Sequence, residues 1–83
     1  MNEPTREGPR TRLSDVKFGE CLRIAKAHLR SEASIRNSKI RELSGIGYDQ
    51  AISFFNRAIL EGHLIRQGSG GSTSYVLPRR TKA

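Results

Sequence analysis

The sequence predicts an α+β fold, three helices followed by a C-terminal β-hairpin. Three observations carry it. Phe18, Leu22, Ala25 and Leu29 recur at helical spacing. A break at Ser44-Gly45-Ile46-Gly47 separates two further helical segments. Two strand-like stretches, residues 63–67 and 73–77, surround the glycine-rich run Gly68-Ser69-Gly70-Gly71-Ser72.

Taken in order, residues 1–13 contain two prolines, a glycine and no apolar period, and read as a disordered basic arm. Ser14 is placed to cap the first helix, with Asp15 favourable in its first turn. Arg23, Lys26 and Arg30 share the side away from the apolar stripe. Cys21, Ile24 and His28 form a row beside that stripe, and are the expected self-contact if the chain pairs. Residues 33–36 around β-branched Ile35 suit a single bridge. Asn37 or Ser38 can cap a second helix with Ile40 and Leu43 as its apolar positions. Gly45 suits the left-handed residue just past a helix end, and Gly47 stands where the next helix is capped. The third helix is expected over residues 48–61. Ala51, Phe55, Ala58 and Ile59 form its inward stripe, and Gly62 stops it. Pro78 ends the hairpin, so the folded domain spans residues 14–78 and a basic tail spans 79–83.

With 83 residues the chain holds one domain at most, and no apolar run approaches a membrane span. Met1 and the short tail fit a whole small protein. Residues 1–13 lack the apolar core of a signal peptide, and a single cysteine forms no internal disulfide, so a cytoplasmic, nucleoid-associated location is expected. Catalysis finds no support. Cys21 and His28 are seven residues apart and share a helix face, but no third group or oxyanion site accompanies them, so a buried thiol and a packed histidine are expected. His63 has no ligand-spaced partner, one Cys with two His gives no zinc pattern, and the glycine run lacks the Lys-Ser/Thr continuation of a phosphate loop. No enzyme activity, cofactor, metal or small-molecule ligand is therefore expected.

Net charge is +7, from 15 Lys and Arg against 8 Asp and Glu. Residues 14–77 carry nine basic and six acidic side chains, while Arg79, Arg80 and Lys82 in the tail add three more positive charges. A basic chain of this size commonly meets a polyanion. Two helices joined at a tight turn around Gly45, with Ile46 as the apolar plug and small Ala51 at their crossing, build a helix-turn-helix unit. The hairpin that follows makes the unit a winged helix. More narrowly, Ile46-Gly47-Tyr48-x-x-Ala51, the paired Phe54-Phe55 and Gly62 resemble the gamma domain of FtsK-type DNA translocases, over roughly residues 35–77. The resemblance implies a winged helix that reads short oriented DNA sequences on tandem sites. No motor is present, so motor function does not carry over.

If the third helix enters the major groove, its outer face supplies the reading side chains. Gln50 and Asn56 can bond adenine, Arg57 guanine or a phosphate, and Ser53 either kind of group. Ile52 can touch a thymine methyl, and Asp49 can accept from cytosine or cap its own helix. Tyr48 either serves the DNA backbone or packs at the helix start. Arg36, Lys39 and Arg41 on the second helix, with Arg66, Ser69, Ser72 and Thr73 on the hairpin, are the candidate phosphate contacts. Arg6, Arg10 and Arg12 in the arm, and Arg79, Arg80 and Lys82 in the tail, are flexible extensions able to reach a groove. The expected function is sequence-specific binding of double-stranded DNA, as a small transcriptional regulator or locus marker, by a homodimer or a tandem array. The alternative is a protein-interaction winged helix within a larger nucleoprotein assembly. Phe54 divides the two: turned outward beside Ile52 it favours a protein partner, turned inward it leaves a polar face that favours DNA.

Overall fold

The computed structural model describes residues 13–78. Its elements are α1 (Asp15–His28), α2 (Asn37–Ser44), α3 (Tyr48–Leu60), β1 (Ile65–Gln67) and β2 (Ser74–Val76), with one turn of 3₁₀ helix, Gly70–Ser72, between the strands. The strands pair antiparallel in the register Ile65 with Val76, Arg66 with Tyr75 and Gln67 with Ser74. Three helices followed by a two-stranded antiparallel sheet form an α+β arrangement.

The capping chemistry explains where the helices begin and end. Ser14 Oγ accepts from Lys17 N–H at 3.1 Å, satisfying one of the free amides at the start of α1. Neither Asn37 nor Ser38 caps α2. Its capping position falls on Arg36, whose side chain makes no cap bond, and Asn37 is already helical. Gly45 closes α2 in the left-handed conformation, φ +84°, donating to Arg41 O at 2.8 Å. Gly47 caps α3 without a side chain, and Gln50 Oε1 reaches back to accept from Gly47 N–H at 3.0 Å.

One core holds these elements together, and α3 runs through it with a wide buried arc. Ala51, Phe54, Phe55 and Ala58 are all buried. Phe54 meets Phe18 of α1 with ring centroids 5.4 Å apart, while Phe55 stacks on Tyr75 of β2 at 3.7 Å and 6°. Helix α3 is thus covered by α1 on one side and the hairpin on the other. Tyr75 also exchanges both backbone bonds with Ile35 (2.9 and 2.8 Å), tying the sheet to the α1–α2 connection as the expected bridge. Ile46 is buried at the turn, as its plug position requires.

Two further expectations are corrected. Leu43 does not face the core but is 45% exposed, because α2 is only eight residues long and buries Ile40 alone. The strands have three residues each rather than five. In the turn between them Ser72 N–H donates to Ser69 O at 3.0 Å and Thr73 N–H to Gly70 O at 3.3 Å. Cys21 is wholly buried in α1, as the sequence predicts, while Ile24 and His28 of the same row are half-buried. That burial also pushes the Cys21 thiol above its ordinary pKa.

Candidate nucleic-acid interface

The buried arc of α3 leaves Asp49, Ser53, Asn56 and Leu60 at i, i+4, i+7 and i+11 as its outward row. Asp49 and Asn56 are exposed, Ser53 is half-buried, and Leu60, at the far end, is 85% exposed. Tyr48 (58% exposed) and Ile52 (38%) flank this row on the side toward the hairpin. There an open groove of about 410 Å³ separates α3 from the sheet. Arg36 lines it at the start of α2 and Arg66 on β1, with Tyr48, Ile52, Asn56 and Tyr75 between them. The groove also reaches Gly70, Gly71 and Thr73 of the hairpin turn, with Ser69 and Ser72 exposed beside it. Thr73 Oγ1 donates to Gly70 O at 3.0 Å, which fixes the hydroxyl proton and leaves the oxygen as an acceptor. Tyr75 joins the groove because strand alternation puts it on the same face as its cross-strand neighbour Arg66. That alternation was available in the sequence, yet Tyr75 was not among the expected site residues.

The basic side chains divide sharply by partner. Lys39 pairs with Glu42 at 3.0 Å. Arg41 donates through Nε to Asn37 Oδ1 at 2.6 Å and lies 5.4 Å from the centroid of the Tyr48 ring. Arg36 and Arg66 have no acidic partner among the described residues. The groove is therefore bounded by two uncompensated positive charges; outside it Lys39 is neutralised by Glu42, while Arg41 is bonded only to a neutral amide and keeps its charge.

On the opposite flank of α3, Gln50 and Arg57 turn away from the groove. Gln50 spends its amide oxygen on Gly47, as above. Arg57 donates through Nε to Glu61 Oε2 at 2.8 Å and through Nη1 to Asp15 Oδ1 at 2.9 Å, with its guanidinium 4.1 Å from the centroid of the Phe18 ring. The bond to Glu61 is the main reason the guanidinium holds its proton more firmly than usual. The same bond pulls the Glu61 carboxyl below the ordinary carboxylate range. In this structure the Gln50 amide oxygen and the Arg57 guanidinium bind within the molecule. Arg6, Arg10, Arg12, Arg79, Arg80 and Lys82 lie outside the described residues.

Among the described residues no helix is long and apolar enough to cross a membrane, and no three His, Cys, Asp or Glu side chains gather as a metal site. No family model matches the chain, and no curated protein or solved structure matches it either.

Proposed function

We propose that the chain is a winged-helix domain that binds double-stranded DNA and reads its sequence through the major groove with α3. It would act by occupying its site, as a small transcriptional regulator or a marker of a DNA locus. The observation that carries this reading is the inward turn of Phe54, 0% exposed. It leaves the polar row Asp49, Ser53 and Asn56 facing out beside a groove that Arg36 and Arg66 border. In a helix-turn-helix the second helix of the unit enters the major groove while the first crosses the backbone. On that geometry Asp49, Ile52, Ser53 and Asn56 meet base edges. Arg36, Arg66 and Tyr48 meet the phosphates that run along the groove, whereas Thr73 has spent its hydroxyl proton on Gly70 O. Gln50 and Arg57 serve the fold. A protein partner would favour a continuous apolar face, whereas the exposed Ile52 and Leu60 lie eight residues apart along α3.

Selection of bound sequences from random duplexes, followed by salt titration, tests the proposal. One enriched motif is expected. Asn56→Ala should relax preference at one base pair at a cost of about 1–3 kcal/mol, whereas Arg36→Ala and Arg66→Ala should weaken all sequences alike and each lower the salt slope by about 1. Binding without any enriched motif would reduce the interface to non-specific contact.

A further inference from the structure

Each helix pairs one of its cations with an acid three or four residues further on: Lys17 with Glu20 in α1, Lys39 with Glu42 in α2 and Arg57 with Glu61 in α3. The C-terminal half of α1 departs from this pattern. Arg23 and Lys26 on α1 and Arg30 in the turn just past its Leu29 cap follow one another at i, i+3 and i+7, all exposed, with no acidic partner among the described residues. Like charges at these spacings repel along a helix. The helix dipole offsets this only near the last turn, where Lys26 stands. The stripe extends for about 10 Å along the helical path. None of its residues lines the groove beside α3.

The stripe contains no large apolar side chain. A protein interface would bring aromatic or apolar anchors to its centre, and a membrane-surface helix would need an apolar face to insert. A row of bare cations instead matches a phosphodiester backbone, which carries one charge about every 3.4 Å of axis on each strand. We propose that Arg23, Lys26 and Arg30 form a second phosphate-binding surface that takes a separate DNA segment, so that one molecule links two duplexes. This inference rests on the duplex reading given above for the groove.

The test is a capture assay. One duplex is immobilised, the protein is added, and a fluorescent second duplex of the same sequence is offered. Wild-type protein captures the second duplex. The variant carrying Arg23→Gln, Lys26→Gln and Arg30→Gln retains single-duplex affinity within about twofold but loses capture by about tenfold or more, and its capture depends less steeply on salt. Lys26→Gln alone, which removes both like-charge contacts while keeping two cations, gives an intermediate loss, and far-UV circular dichroism checks the helix content of both variants. Undiminished capture by the triple variant overturns the proposal, as does a parallel loss of single-duplex binding, which would put the stripe on the first duplex. Wild-type protein that binds one duplex and captures no second overturns the bridging alone. Protein that binds no duplex at all overturns the groove reading with it.

Discussion

Arg57 and Asp15 are 42 residues apart in sequence, yet their side chains meet at 2.9 Å and close a bridge between α1 and α3 over the Phe18 ring. A guanidinium held by two carboxylates and an aromatic face positions the helix that carries it. Arg57→Ala should therefore lower the thermal midpoint while leaving the selected DNA sequence unchanged. Arg57→Lys, which keeps the charge but lacks the planar fork, should recover only part of the loss. Thermal melts paired with sequence selection check this, and a relaxed preference at one base pair in Arg57→Ala would return the residue to the reading set. The helical wheel put Arg57 correctly off the buried arc, but periodicity describes one helix at a time and carries nothing about which acid stands opposite. Phe54 was open for the same reason. Phe54 and Phe55 lie about 100° apart on the helix, and both are buried only because Phe18 covers one side and Tyr75 the other.

At the level of elements, the turn chemistry was the most legible part of the chain. Ser14 as a cap, Gly45 as the left-handed terminus, Ile46 as the plug and Ile35 as a single bridge each rest on local rules, and each appears where those rules put it. The ends of the strands and the inward face of α2 were less legible, because they depend on where the partner element stops. The two glycine turns differ in what surrounds them. Gly45 at φ +84° has nothing within 4 Å of the place a Cβ would occupy, so Gly45→Ala meets only the backbone penalty, about 1–2 kcal/mol. Gly68 at φ +78° would set its Cβ 2.6 Å from Ser72 O, a backbone atom of its own hairpin. Gly68→Ala should cost more than Gly45→Ala and should shift the 3₁₀ turn at the end of the groove, weakening duplex binding beyond the loss of stability. Urea unfolding ranks the two stabilities. Equal losses, or unchanged binding by Gly68→Ala, would separate the turn from the interface.

Across the whole molecule, the ion pairs and the uncompensated cations have different work. The pairs join elements or steady single helices, and the described cations without an acidic partner lie at the groove, at Arg41 of α2, and along and just past α1. Acid acts first on the pairs. Glu61 accepts from Arg57 at 2.8 Å, has His63 Nε2 at 3.4 Å, and is held below the ordinary carboxylate value of 4.5, chiefly by the Arg57 bond. A carboxylate whose pKa is depressed on folding stabilises the fold fully above the unfolded value, and that contribution fades as pH falls through the folded value. The contribution of Glu61 should therefore be constant near neutrality, begin to fade below about pH 4.5 and be gone once the pH is under the lowered folded value. Because the pair is exposed, it should also shrink in high salt. Thermal midpoints of the wild type and Glu61→Gln, followed from pH 7 to pH 3, should lie apart at neutral pH and converge in acid. In the same series DNA binding by Glu61→Gln should keep its sequence preference at neutral pH, since the charges on the groove are untouched. Curves that stay parallel across the whole range would show that Arg57 holds α3 through Asp15 and Phe18 alone.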